Sequence, residues 1–409
     1  MLEPGNDRTV NGDRLWASLM EMAEIGATAA GGCNRQALTE EDRQGRGLFR
    51  SWAEEAGCEV HTDAIGNLFA TRPGSDPNAL PILVGSHLDT QPTGGKFDGV
   101  YGVLAGLEII RTLNQHAIST RSALIVASWT NEEGARFPPA MMGSGVWAGE
   151  FELAETYETE DRTGLTLREA LLQIDALGAQ PAAAFPLKGA IELHIEQGPI
   201  LEASDDQIGI VTGVQGIRWY DLTLTGMPCH AGPTPMEGRR DPVQVLPQLL
   251  PAIYRLAIYN APWGRATLGD LVSHPGSRNT VPESVRLSVD LRHPEQAVLD
   301  AMHQSLRLLA EQLSNDSVAI ELEEIWHSPA VAFDTSVLRA IGDAVEITGY
   351  KAQEMVSGAG HDSVYVARVA PTAMIFIPCQ DGLSHNEAEY ASPADITAGC
   401  NVLLNAVLS

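Results

Sequence analysis

Histidines and carboxylates recur in this chain directly after short apolar runs. His87 and Asp89 follow the run Pro81–Ser86 (PILVGS), with Asp98 a little further on in GGKFDG. Asn131-Glu132-Glu133-Gly134 follows Ser122–Ser128 (SALIVAS). His194 and Gln197 close the run Ala190–Ile195 (AIELHI) within HIEQG, and Ser384-His385-Asn386 follows Ala373–Ile377 (AMIFI). Imidazole nitrogens and carboxylate oxygens form a donor set for zinc, manganese, cobalt or nickel, with no thiol required. His87, His194 and His385, with two or three of the carboxylates, can hold two such ions if one carboxylate bridges. Ions roughly 3.5–4 Å apart share a water, lower its pKa and polarise a substrate oxygen. A carboxylate left over then moves the water's proton to the leaving group. Neighbouring Glu132 and Glu133 cannot both face one ion from a strand, but on a loop one can bind metal while the other stands beside it. Asp89, two residues after His87, suits a supporting role in which its carboxylate orients the imidazole.

Taken singly, each feature has an ordinary explanation. A histidine near a strand end is usually a satisfied polar group, a Glu-Glu pair a solvated surface, and the glycines of GGKFDG a turn. Their recurrence after separate strands points instead to one site, because an open α/β sheet binds ligands beyond the carboxyl ends of its strands.

The elements that must position these residues are legible as periodicities. Arg14–Gly26 and Glu40–Gly57 carry apolar residues at helical spacing. Gly99–Leu113 reads as a buried, glycine-rich helix between two of the apolar strands. Strands apolar at nearly every residue, separated by helices, predict a largely parallel sheet covered on both faces. The middle of the chain differs. Ile217–Gly226, Ala266–Ser273, Ser284–Arg292 and Ala319–Ile325 read as strands with one wet face, and Asp241–Ile258 and Gln296–Leu313 as helices. That β-α-β-β-α-β order predicts a ferredoxin-like α+β domain over residues 214–328. It is inserted into an α/β domain made of residues 1–213 and 329–409.

Bulk properties narrow the function. Lysine plus arginine number 26 against 53 acidic residues, a formal charge of -27, which argues against nucleic acid or an anionic membrane surface as a partner. The five cysteines form no C-x-x-C, so a thiolate metal site is not expected and a reducing compartment fits. Met1–Asp13 is polar, and no apolar run approaches the ~18 residues of a membrane span. A cytoplasmic location is the expectation.

At these residues the chain resembles the metal-dependent amidohydrolase/carbamoylase family: N-carbamoyl-L-amino-acid hydrolases, β-ureidopropionases and allantoate amidohydrolases, related to two-zinc aminopeptidases and aminoacylases. The stretches that carry the resemblance are GSHLDTQPTGGKFDGVYGVLAGLE, NEEGARFPPAMMGS, ELHIEQGPILE, GMPCHAGPTPMEGRRD, SRNTVP, DLRHP, SGAGHDS and GLSHNEAE. The resemblance implies two divalent metal ions per subunit, held by His87, Asp98, Glu133, His194 and His385, with Asp98 bridging. It implies Glu132 as general base and later acid, and Asp89 as the partner of His87. Arg292 looks like the residue that pairs with a substrate carboxylate, for which a guanidinium is the natural fork. Gln197, Asn279 and Gly360 look like its hydrogen-bonding companions. His230 and His361 look like stabilisers of a tetrahedral oxyanion. The inserted domain is implied to be a dimerisation and lid domain, with His230 reaching the other subunit's site in a homodimer.

The reaction expected is hydrolysis of an N-carbamoyl amino acid to amino acid, carbon dioxide and ammonia. Allantoate amidohydrolase shares nearly all the motifs, although GGKFDG and TQPTGG lean toward the carbamoyl side. A dipeptidase or aminoacylase is disfavoured by the histidine of HIEQG, where those relatives usually carry a carboxylate. A non-catalytic binding protein on the same fold would lack a ligand or the base, and every such position is filled.

Overall fold

A computed structural model describes residues 9–409. The chain divides into two units, one running up to Gly213 and resuming at Ala332–Ser409, the other Val214–Val331.

Among the described residues, the first unit is built on a nine-stranded mixed sheet. Its centre is four strands in the order Leu124–Trp129, Ile82–His87, Gly189–Ile195 and Thr372–Ile377, each parallel to its neighbours. These strands are buried along almost their whole length, as apolar sequences without alternation require. The flanks are antiparallel. Glu59–Thr62 and Leu68–Arg72 form a ribbon beside Leu124–Trp129, and Ile208–Val214 runs antiparallel to Thr372–Ile377. EVHT and LFATR are too short and too mixed to stand out as strands by pattern. The helix Pro393–Leu408 also escapes a periodicity search. It is buried nearly all round, so it has no polar stripe to betray its pitch.

The helix Val100–Gln115 crosses between two parallel strands and lies unusually close to the sheet. A Cβ at Gly102 would sit 2.4 Å from the Leu193 carbonyl oxygen, and one at Gly106 2.9 Å from the Val126 side chain. Gly99, just before the helix, has φ +67 and faces the His87 ring, which a Cβ there would strike at 2.3 Å. Glycine at these positions lets the helix seat itself directly on the sheet and fixes where Asp98 stands. A second anchor is Glu108, buried within this helix, which accepts from Arg14 Nε at 2.7 Å and Nη2 at 2.8 Å. The opposite face of the sheet is covered by an aromatic cluster in which Trp129 meets Phe69 edge-on at 5.6 Å and Trp147 at 5.2 Å.

The second unit is a four-stranded antiparallel sheet in the order Ala319–Ser328, Gly216–Thr225, Ser284–His293, Arg265–His274. The helices Leu246–Tyr259 and Gln296–Leu313 bury Leu249, Ile253, Leu299 and Leu306 against Leu222 and Leu287 of the sheet. This is the split β-α-β-β-α-β arrangement. The first of its helices begins later than periodicity suggests, because Pro242–Val245 forms a separate 3-10 turn. A short ribbon pairs Cys229–His230 with Thr280–Val281.

The tight seat of the crossover helix makes a paired prediction. Gly102→Ala drives a methyl into backbone and should cost about 1–3 kcal/mol. Gly342→Ala, in the helix Thr335–Thr348 with no atom within 4 Å of its Cβ position, should gain about 0.5–1 kcal/mol. Thermal melts followed by circular dichroism should therefore shift in opposite directions; a neutral Gly102→Ala contradicts the packing described.

Candidate metal centre

The four parallel strands end at one rim. His87 is the last residue of Ile82–His87 and lies level with Trp129 across the ladder, while Phe376 pairs with His194. The loop after Trp129 carries Glu132 and Glu133, and the segment after Ile377 carries His385. Three loop residues here hold left-handed backbone without being glycine: Asn131 at φ 56, Gln197 at φ 57 and His385 at φ 51. Such strain persists where the surroundings dictate it, and it clusters at functional sites.

Asp98 is the meeting point. Its Oδ1 is 3.0 Å from His194 Nε2 and 3.6 Å from His87 Nε2, and its Oδ2 is 3.4 Å from His385 Nε2. Glu133 Oε2 lies 3.3 Å from the same His385 nitrogen, and Glu132 Oε2 lies 3.4 Å from His87 Nε2. Among the described residues three sets present donor atoms close enough to share an ion, His87–Asp98–His194, Asp98–Glu133–His385 and the deeper Glu192–His194–His361. Asp98 belongs to the first two.

The charge balance of this cluster fits divalent cations. Burial pushes the Glu133 carboxyl up to about 7, reinforced by repulsion from Asp98. Burial, with repulsion from Asp362, Glu133 and Asp98, raises Glu132 well above the carboxylate range against the pull of His87. Asp98 goes the other way: burial opposes its ionisation, but contacts with His194, His385 and His87 outweigh it. His385, drawn by Asp98, rises to about 9. Asp98 thus favours protons on the histidines around it while Glu132 and Glu133 resist ionising, and a cation placed between them would relieve both.

Two of the histidines are already oriented for ligation. His194 Nδ1 meets the Ile195 carbonyl at 2.9 Å and His87 Nδ1 meets the Asp89 carbonyl at 2.9 Å, so each Nε2 faces the cluster, where that of His194 also accepts the Gly99 N–H at 3.1 Å. The second contact corrects the expected role of Asp89. Its main-chain oxygen, not its carboxylate, holds His87. The carboxylate instead accepts the backbone N–H groups of Glu132 and Glu133, both at 3.2 Å, and so fixes the loop that carries them.

Gln197 joins the cluster through Nε2, which donates to Asp98 Oδ2 at 2.8 Å, while its Oε1 is buried with no partner. His361 is buried beside His194, with ring centroids 4.7 Å apart, and contacts Ser357 Oγ at 3.0 Å. Burial and the neighbouring histidines hold it neutral. Gly360 sits next to it in sequence; a Cβ there would press on Met141 at 3.1 Å.

The remaining predicted residues belong to the second unit. His230 and Asn279 are brought together on the Cys229–His230 ribbon, where Ala231 N–H donates to the Asn279 carbonyl. Arg292 lies on the strand Ser284–His293 and donates through Nη2 to Asp290 Oδ2 at 2.8 Å. Arg218, on the strand Gly216–Thr225, is committed to Asp300 and Glu324, both at 2.6 Å.

Sequence reasoning passed over several buried groups around the cluster. Glu389 accepts the N–H groups of Phe97 and Asp98. Glu192 is held by Ser86 and Ser363, and Asp362 by Ser144. Glu192, Asp362 and Glu389 lie within the motifs ELHIEQGPILE, SGAGHDS and GLSHNEAE, but nothing in those strings distinguishes them from surface carboxylates.

Residues 83–409 match Peptidase family M20/M25/M40. The chain is 48% identical over 409 residues to the N-carbamoyl-L-amino-acid amidohydrolase of Rhizobium meliloti, covering 100% of this chain and 98% of that one. It is 33% identical over 386 residues to the allantoate amidohydrolase of Bacillus subtilis, covering 93% of each. Among solved structures, an amidase of the hydantoinase/carbamoylase family from Burkholderia multivorans superposes with a TM-score of 0.95 at 50% identity over 98% of each chain. With the family match spanning most of its length and these relatives aligned end to end, the chain belongs to peptidase family M20/M25/M40.

Proposed function

We propose that this protein hydrolyses the carbamoyl C–N bond of N-carbamoyl amino acids, converting substrate and water to amino acid, carbon dioxide and ammonia. The observation that carries the reading is Asp98, shared between a buried ligand set and a half-open one, with the unshared carboxylate of Glu132 beside them. The relative named for carbamoyl amino acids, at 48% identity, supports the substrate class over the one named for allantoate, at 33%.

His87, Asp98 and His194 would hold one divalent cation and Asp98, Glu133 and His385 a second, with zinc, manganese, cobalt and nickel all suited to these donors. When bound, such a pair supplies an acidified water and polarises a carbonyl oxygen. The chain's own residues do the rest. Glu132 accepts the water's proton at Oε2 and delivers it to the leaving nitrogen. Asp89 keeps Glu132 and Glu133 on their proper sides by holding both backbone N–H groups. Gln197 Oε1, buried and without a donor, accepts from the ureido nitrogen. Arg292 pairs with the substrate carboxylate, Asn279 and Gly360 complete its hydrogen bonds, and His230 and His361 steady the oxyanion.

In this reading the second unit is the dimerisation and lid domain. Its outermost strand, Arg265–His274, exposes Leu271 and Val272 along an edge, and the helix Leu246–Tyr259 exposes Tyr254, Ile258 and Tyr259. An apolar edge of this kind suits a second copy of the chain, in whose site His230 then acts. No helix among the described residues is long and apolar enough to cross a membrane. We place the enzyme in the cytoplasm.

Three outcomes follow. Glu132→Gln should cut turnover about 10²- to 10⁴-fold while leaving bound metal unchanged, as measured by steady-state kinetics and elemental analysis; near-normal turnover removes Glu132 as the base. Arg292→Ala should lose about 1.5–3 kcal/mol, roughly 10- to 150-fold in kcat/KM, on carboxylate substrates. Unchanged kinetics would exclude it from the site. Ammonia release should be faster from N-carbamoyl-L-amino acids than from N-carbamoyl-β-alanine or allantoate; preference for allantoate would reassign the substrate.

A further inference from the structure

Asp98 and His385 are 287 positions apart in sequence, yet they must stand in a fixed relation if they are to share an ion. Both sit on loops, and His385 is the most exposed of the ligand candidates, with half its side chain open to solvent. Something must hold the two loops together. Two groups touch both: Gln197, whose Nε2 reaches Asp98 Oδ2 and Ser384 Oγ, and Glu389, which alone of the two also holds the Asp98 main chain. Glu389 is 4% exposed and lies at the end of GLSHNEAE. Its Oε1 accepts the backbone N–H groups of Phe97 at 2.9 Å and Asp98 at 3.1 Å. Its Oε2 meets Ser384 Oγ at 2.9 Å, and that same hydroxyl is 2.9 Å from Asp98 Oδ2. One glutamate thus grips the main chain of Asp98 and contacts the residue before His385, whose single hydroxyl proton goes to one of the two carboxylates it touches.

Gly95 of GGKFDG leaves the room this side chain occupies. A Cβ at Gly95 would fall 2.1 Å from the Glu389 carboxyl carbon, so the loop closes on Glu389 only without one.

We propose that Glu389 is a positioning residue that clamps the Asp98 loop to the His385 loop and thereby builds the cation site made by Asp98, Glu133 and His385. The inference rests on the metal-centre reading above. The clamp works by hydrogen-bond geometry rather than by charge. A glutamine at this position keeps it: the amide oxygen accepts both N–H groups, the amide nitrogen donates to Ser384 Oγ, and the Ser384 hydroxyl donates to Asp98.

Calorimetric titration of the chelator-treated full chain with zinc(II) tests this without reference to activity. Wild type should take up two equivalents. Glu389→Ala should retain one and bind the other about 10- to 100-fold more weakly, the usual effect of removing a ligand's supporting partner. Glu389→Gln should bind as wild type does. Ser384→Ala, which removes only a hydroxyl and decides the matter if Glu389→Ala does not fold, should weaken the same equivalent. Two unchanged equivalents in the Ala variants, an equal loss of both, or a Gln variant as weak as Glu389→Ala overturns the clamp. A wild-type chain that binds no zinc overturns the metal-centre reading instead.

Discussion

Asp98 meets three imidazoles delivered by three separate stretches of chain, and the first unit is organised so that it can. A carboxylate at 4% exposure is costly unless its surroundings answer its charge. Here the answer is His87, His194 and His385, and the geometry that brings them together is the common rim of parallel strands. Parallel pairing sets the strands in one direction, so their carboxyl ends coincide. The crossover helix, seated on the sheet through glycines, begins at the height of those ends, and Asp98, just before its first turn, stands between the rings.

The support around the cluster is mostly backbone. His87 and His194 are oriented by main-chain carbonyls, Glu132 and Glu133 by their own N–H groups on Asp89, and Asp98 by its N–H on Glu389. Backbone partners leave little room for a ligand to drift, because they move only if the loop moves. That rigidity is what a pair of closely spaced cations demands of its donors.

Much of this was legible in the sequence. Runs such as PILVGS and AIELHI are apolar without alternation, which marks buried parallel strands, and the polar residues after them mark the rim. The alternating strands of the second unit announced its split α+β topology. Other features left no such trace. The flanking ribbon of EVHT and LFATR is too short to show a period. The helix Pro393–Leu408 is buried on all sides and so lacks an amphipathic stripe. Asp89 was expected to act through its carboxylate, but whether a side chain or its carbonyl reaches a neighbour depends on local backbone that residue types do not encode. Glu389 was quoted within a motif without a role, because burial so far from Asp98 in sequence is a tertiary fact.

The central claim is that Asp98 is shared by two cations. Anomalous diffraction from crystals grown with manganese or zinc, recorded at that metal's absorption edge, tests it directly. The account predicts two peaks flanking the Asp98 carboxylate, one among His87 and His194, the other between Glu133 and His385. A single peak, or peaks that leave Asp98 untouched, would contradict it.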